Sequence, residues 1–229
     1  MEEVIHFDQQ LLLALNGSDS AWLDQVMLYI TKTVTWIPLI AVLLILLLKN
    51  RPRREVLLFV VSLTFVILVC DQFASSLCKP LFHRLRPSHE PALEGLVDLV
   101  NGRRSGLYGF ISSHAANTFG AFTFIALYLR RITLSHRLIL PSKLTILLWA
   151  CLSSYSRIYL GLHYPGDILF GALVGLLFGA IFYRFMVFLA VRWLKPSPLI
   201  PADFSATYDA YFIPITFVLT LVATCLLAL

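Results

Sequence analysis

Arg157, His163 and Asp167 stand within eleven residues of one another in SRIYLGLHYPGDILFG (156–171), flanked by the apolar stretches LTILLWACLSSY and ALVGLLFGAIFY. Ionisable groups at such a seam cost a few kcal/mol each near a bilayer on insertion scales, so they point to a functional site. His163 precedes Asp167 by four residues across a Pro-Gly helix start, and the carboxylate can accept the proton of one imidazole nitrogen. The other nitrogen is then free to act as a nucleophile. Two further clusters share this character. KPLFHRLRP (79–87) supplies Lys79 and Arg86, and FISSHAANTFG (110–120) supplies Ser112, Ser113 and His114. Together with Arg157 these cations suit a phosphate, because arginine offers a planar fork and lysine a compact point charge. Ser112, Ser113 and His114 open a predicted helix, where free N–H groups and the helix dipole favour an anion. His114 is suited to protonate a departing alkoxide and then to activate water. No carboxylate cluster falls at metal-ligand spacing, so the expected mechanism uses neither metal nor cofactor.

The elements that must position these groups are helices in a membrane. Of the 229 residues, 59% are hydrophobic and only 14% charged, and the mean hydropathy is +0.81; soluble domains carry roughly 25% charged residues. A spanning helix needs about 20 apolar residues. Six candidates meet that description: 23–48, 55–78, 113–131, 143–160, 164–185 and 211–229. The first contains Lys32 and Pro38 and also reads as an interfacial helix (21–33) followed by a short span from near Trp36. The expected fold is therefore an all-α, polytopic helical bundle of about six spans, forming one membrane-embedded domain over 1–229. Residues 1–20, with the turn and helix-start signal NGSDS, form a lead-in at the membrane surface. MEEVIHFDQQ lacks the basic region and cleavage site of a secretory signal.

Basic residues orient the bundle. Lys49, Arg51, Arg53, Arg54, Arg130, Arg131, Arg137, Lys143, Arg184, Arg192 and Lys195 occupy alternate connections, eleven of the 18 basic residues, and assign that face to the cytoplasm. The connections so defined are 49–55, 130–143 and 192–209. The 79–112 loop and the 160–164 turn then share the outer face with both termini. A net charge of +5 is accounted for by topology and phosphate binding, and no nucleic-acid partner is expected. Cys70, Cys78, Cys151 and Cys225 lie in or beside apolar runs, lack a C-x-x-C pair and read as packing residues. Trp22, Trp36, Tyr108, Tyr159, Trp193 and Tyr211 read as interface anchors.

In their order and spacing the three clusters resemble the type 2 phosphatidic acid phosphatase (PAP2) superfamily, whose pattern is K-x6-R-P, P-S-G-H and S-R-x5-H-x3-D. Lys79, Arg86 and Pro87 complete the first motif, and Ser156, Arg157, His163 and Asp167 the third. The second is degenerate: Ser112 and His114 match, whereas Ile111 stands for Pro and Ser113 for Gly. The resemblance covers about 55–190. It implies that His163 attacks phosphorus to give a phosphohistidine, that Asp167 orients it, and that His114 serves the leaving group and then water. It further implies that Lys79, Arg86 and Arg157 bind phosphate oxygens, with help from Ser112 and the Ser113 backbone. The changes at 111 and 113 imply retained activity with altered substrate fit.

The function expected from these readings is a metal-independent membrane lipid phosphatase acting on a phosphomonoester or pyrophosphate. Lipid A phosphate and undecaprenyl pyrophosphate are preferred over phosphatidylglycerophosphate and phosphatidic acid. The protein is placed in the cytoplasmic (inner) membrane with its site facing the periplasm or exterior. Two alternatives stay open: a lipid phosphotransferase that passes the phosphoryl group to another lipid, and a non-enzymatic binder of anionic lipid. The related vanadium haloperoxidases share the motif logic but are soluble. His83, His89 and His136 are assigned no chemistry. His83 and Arg84, inside the first motif's variable gap, are in position to touch a headgroup, and Arg103 and Arg104 beside the mouth either read an acidic lipid headgroup or solvate the loop.

Overall fold

Each apolar run in the sequence forms a helix in the computed structural model, which describes residues 2–132, 136–193 and 211–229. An amphipathic α1 (Glu2–Leu15) is followed by α2 (Ala21–Ile30), whose N-cap Ser20 accepts a hydrogen bond from the Leu23 N–H. A 3₁₀ turn over Thr33–Trp36 leads into α3 (Ile37–Asn50), which carries Pro38 in its first turn, where proline costs no helical hydrogen bond. This matches the reading of 23–48 as two separate helices rather than one. Next, α4 (Arg53–Gln72) runs through a π-helical turn at Phe73–Cys78 into the short α5 (Lys79–Phe82). The bundle is completed by α6 (Ser113–Ile132), α7 (His136–Tyr159), α8 (Pro165–Trp193) and α9 (Phe212–Leu227). No strand occurs among the described residues; Leu85 and Tyr108 form an isolated antiparallel bridge.

Thr33–Asn50, Arg53–Phe82 and Pro165–Arg192 are long and apolar enough to cross a membrane, and α9 is apolar but shorter. Large apolar side chains face outward along them, among them Leu57, Leu68, Leu173, Phe188 and Leu219, as expected of surfaces solvated by lipid. α6 and α7 have the length but more polar residues. In α7, Ser142, Thr145, Ser153, Ser154 and Ser156 are buried, turned toward the bundle rather than the lipid.

One helix starts earlier than expected. α7 begins at His136 and includes Pro141, so 136–143 is helix rather than connection. The apolar run around Ile139 accounts for this, since Ile139 is buried in the core. The expected connection at 192–209 and the position of Lys195 lie outside the described residues, as do the Trp193 and Arg137 side chains.

The tightest seam joins α6 to α8. Gly171, Gly175 and Gly179 recur one turn apart and face the α6 backbone. A Cβ at Gly171 would sit 2.5 Å from the Ser112 carbonyl oxygen, one at Gly179 would sit 2.5 Å from that of Gly120, and one at Gly175 would overlap the Ala116 carbonyl. Small residues at this spacing let helix backbones approach closely in a membrane. Elsewhere the core is aromatic. Trp36 stacks on Phe217 with centroids 5.6 Å apart, and Phe59 packs on Tyr128 at 4.7 Å. Trp36 and Tyr159 are thus core residues, not interface anchors. Tyr159 is drawn inward by hydrogen bonds to Asp24 and Ser18. Trp22 and Tyr211 are exposed, as an anchor must be. Cys70 and Cys78 are buried as packing residues, whereas Cys151 lies on the outer surface.

Candidate active site

The site forms where α5, α6 and the α7–α8 turn meet at one end of the bundle. The turn is closed by Gly161, whose φ of +68° lies in the left-handed region and whose missing Cβ leaves room for Val97 and the Asp98 carbonyl. Beyond it the Leu162 and His163 N–H groups both bond to the Arg157 carbonyl. Pro165 then starts α8, placing Asp167 in the first turn. His163 and Asp167 are both buried, with Nδ1 of the histidine 3.2 Å from Oδ2 of the carboxylate. The same oxygen accepts from the Tyr164 N–H at 3.1 Å.

The loop between α5 and α6 delivers the second half. Arg86 N–H bonds to the Leu107 carbonyl and Gly109 N–H to that of Arg84, so 84–86 pair with 107–109. This pairing fixes Arg86, whose Nε–H donates to the Tyr108 carbonyl at 3.1 Å and Nη1 to the Leu162 carbonyl at 2.9 Å. Nη1 also lies 2.8 Å from Nε2 of His163. A guanidinium can only donate, so Nε2 is the acceptor and the ring proton resides on Nδ1, facing Asp167. Burial, and then the charges of Arg86, Arg157 and Lys79, hold the proton affinity of His163 well below the usual imidazole range. The ring is neutral, with its lone pair turned toward the cations. Gly109 makes this approach possible: a Cβ there would stand 3.0 Å from Oδ2 of Asp167.

Three cations lie within electrostatic range of His163. Lys79, Arg86 and Arg157 lie within electrostatic range of one another. Lys79, presented just beyond the π-helical turn, donates to the Ser75 hydroxyl at 3.1 Å. Arg157 donates through Nη1 to Thr31 at 2.8 Å, and its buried Nε–H has no acceptor among the described residues. Like charges gathered around an unsatisfied donor make a socket for an anion. His114, half-buried in the first turn of α6, lies within electrostatic range of Arg157, His163, Arg86 and Lys79.

Each expected site residue is accounted for. Lys79, Arg86, His114, Arg157, His163 and Asp167 converge. Ser112 joins them differently: it is fully buried, its N–H bonds to the Asp167 carbonyl at 3.0 Å, and its hydroxyl accepts from the Ala115 N–H at 3.4 Å, capping α6. Ser113 is half-buried, and its side chain makes no hydrogen bond to another described residue. Ile111, at the family's Pro position, is buried against Ala74 and Cys78. Among the described residues no group of His, Cys, Asp or Glu is arranged to hold a metal ion.

Two residues outside the expected site also enter it. Arg84 donates to Asp167 at 3.1 Å and to Asp8 at 2.7 Å, and its side chain remains partly exposed. The signals were a second cation two residues before Arg86 and an acid sharing the buried face of α1 with Leu12. Arg103 lies within electrostatic range of Arg157, as a residue at the mouth would.

Comparison with known proteins identifies the family. The sequence profile of the PAP2 superfamily matches residues 55–190, the stretch from the start of α4 to near the end of α8. The chain is 41% identical over 200 residues to a lipid A 4′-phosphatase of Bacteroides thetaiotaomicron, covering 87% of this chain and 85% of that one. It is 35% identical over 210 residues to a lipid A 4′-phosphatase of Porphyromonas gingivalis, covering 91% and 84%. An undecaprenyl-diphosphatase of Sulfolobus acidocaldarius is 28% identical over 180 residues, 76% of each chain. No solved structure matches. The chain belongs to the PAP2 superfamily.

Proposed function

We propose that this protein, a membrane lipid phosphatase of the PAP2 superfamily, removes the 4′-phosphate of lipid A through a phosphohistidine on His163. The observation that carries the chemistry is the setting of that ring, neutral, with Nδ1 toward Asp167 and Nε2 among Lys79, Arg86 and Arg157. The substrate is supported by the two lipid A 4′-phosphatases that cover most of this chain. In the first step Nε2 attacks phosphorus, the P–O bond to the sugar breaks, and His114 delivers a proton to the departing alkoxide. Arg86, Arg157 and Lys79 bind the equatorial oxygens, where charge is spread in the transition state. Asp167 steadies the positive charge that grows on the ring. In the second step His114 takes a proton from water, which attacks phosphorus, breaks the P–N bond and releases inorganic phosphate.

The lipid class fits the surroundings. An apolar groove of about 930 Å³, lined in part by Val4, Phe7, Phe82, Phe110 and Phe170, opens beside Arg84 and Tyr164 and suits acyl chains left in the bilayer. In this reading α6, α7 and α9 also cross the membrane, giving six spans in one domain, and α1 lies at the surface. The Arg51–Glu55 ion pair and the Tyr128 hydroxyl bound to it mark the far ends of α4 and α6. Basic residues gather there, so that end faces the cytoplasm of the inner membrane and the site faces outward.

A phosphate-release panel tests this. Purified protein in detergent with EDTA is offered lipid A phosphorylated at the 4′ position, lipid A phosphorylated at the other end, undecaprenyl diphosphate and phosphatidic acid. Release confined to the 4′-phosphate is expected. Preference for the diphosphate, transfer of label to a second lipid, or binding without turnover would overturn the assignment.

A further inference from the structure

The amino-terminal helix reaches the catalytic carboxylate through one arginine. Arg84 spans two acids: Nη1 is 3.1 Å from Oδ1 of Asp167, and Nη2 is 2.7 Å from Oδ2 of Asp8. Its guanidinium also lies over the Tyr164 ring, 4.1 Å from the centroid. Asp8 uses its other oxygen to accept from the Gly166 N–H at 2.8 Å. This contact needs a glycine, because a Cβ at 166 would sit 2.7 Å from the Asp8 carboxylate. The far end of α1 is fastened as well. Asn16 donates to the Tyr159 carbonyl at 2.7 Å, and the Gly17 N–H donates to the same oxygen at 3.0 Å. α1 is therefore tied on both sides of the turn that carries His163.

We propose that Arg84 and Asp8 are positioning residues: Arg84 holds Asp167 aimed at His163, and Asp8 holds Arg84 in place. The two oxygens of Asp167 are divided between these tasks. Oδ2 faces Nδ1 of His163, and Oδ1 is held by Arg84. A carboxylate so shared cannot rotate away from the imidazole without breaking its ion pair to Arg84. The groups facing Asp167 are Arg84 and Arg86 from the loop, Lys79 from α5, and His163 and Tyr164 from the turn. Asp8 of α1 faces it through Arg84, and His114 of α6 through His163. Of the cations, Arg86 is turned to the histidine lone pair and Lys79 toward Ser75. Only Arg84 makes a hydrogen bond to the Asp167 carboxylate from a side chain other than His163, among the described residues. The sequence therefore runs Asp8–Arg84–Asp167–His163, from a surface helix to the reacting nitrogen.

The inference rests on the phosphatase reading and is tested with the full chain, assaying lipid A phosphate release. In Arg84→Ala, kcat falls about tenfold with KM within about twofold. Arg84→Lys recovers part of the loss, since an ammonium holds one carboxylate but cannot span two. Asp8→Asn lowers kcat about threefold and adds nothing further on the Arg84→Ala background, as expected of residues acting in series. Should Arg84→Ala fail to fold, Arg84→Lys and Asp8→Asn carry the test in the same directions. An active wild type with an Arg84 variant of unmoved kcat overturns the inference alone. So does a loss confined to KM, which marks a headgroup contact, or independent effects of Arg84 and Asp8. A wild type that releases no phosphate overturns the phosphatase reading and this inference with it.

Discussion

Arg86 Nη1 lies 2.8 Å from Nε2 of His163 and so points a donor at the lone pair that attacks phosphorus in the proposed mechanism. A phosphate oxygen entering the socket takes that donor over and frees the lone pair toward the phosphorus it is bonded to. Arg86 can do both because its other contacts, to the Tyr108 and Leu162 carbonyls, hold the fork in place. Arg86→Lys keeps the charge but loses the fork, and phosphate release is expected to fall about 100-fold. Steady-state kinetics with the folded variant checks this; a loss under threefold would mean that charge alone suffices.

The neutral state of His163 has a consequence for stability. Burial and the neighbouring cations keep the folded protein from protonating this ring in the usual imidazole range. The unfolded chain binds that proton below about pH 6.5. Stability is therefore full above that pH and declines as pH falls through it, because the unfolded state gains protons that the folded state refuses. Thermal midpoints in detergent should drop between pH 7.5 and 5 for wild type and drop less for His163→Gln. Equal slopes would contradict this.

α6 carries His114 and α8 carries Asp167, so the register between these helices sets the geometry of the site. Gly175→Val places branched carbons against the Ala116 carbonyl and the Gly120 nitrogen. Overpacking of this kind costs about 1–3 kcal/mol, and a shift of about 1 Å at the reacting atoms costs about 100-fold in rate. The variant should melt earlier and lose most activity, with Gly175→Ala intermediate. Melting curves and phosphate release on the same preparations measure both.

The far end of the bundle provides a contrast. Glu55 accepts from Arg51 at 2.8 Å and from the Tyr128 hydroxyl at 2.7 Å, all three groups being buried. Glu55→Ala removes a carboxylate that a buried guanidinium pairs with and should cost about 3 kcal/mol. Because the site lies at the opposite end of α4 and α6, kcat per folded molecule should be unchanged. A kcat loss above threefold would show that this network reaches the site.

Much of the arrangement was legible in the sequence for local reasons. Lys79 and Arg86, Ser112 and His114, and the run from Ser156 to Asp167 each lie at a helix end, and spacing along the chain fixes their relation. The turn at Gly161 and the helix start at Pro165 are short-range signals of the same kind. What escaped depends on contacts between distant segments. Asp8 and Arg84 meet 76 residues apart in sequence, and one acid in an amphipathic helix carries no mark of its partner. Trp36 and Tyr159 sit near span ends, where an anchor and a core aromatic look alike. Only the stack on Phe217 and the bonds to Asp24 and Ser18 separate the two. The start of α7 was missed because polar residues around Ser142 mask a helix whose polar side chains turn inward.

The most direct measurement follows the phosphorus atom. Lipid A carrying ³²P at the 4′ position is mixed with the wild-type protein and quenched in alkali within the first turnover. Label retained on the protein, stable to base, lost in acid and absent from the His163→Ala variant is the result predicted. Full turnover by His163→Ala, or label on any other residue, would contradict the account.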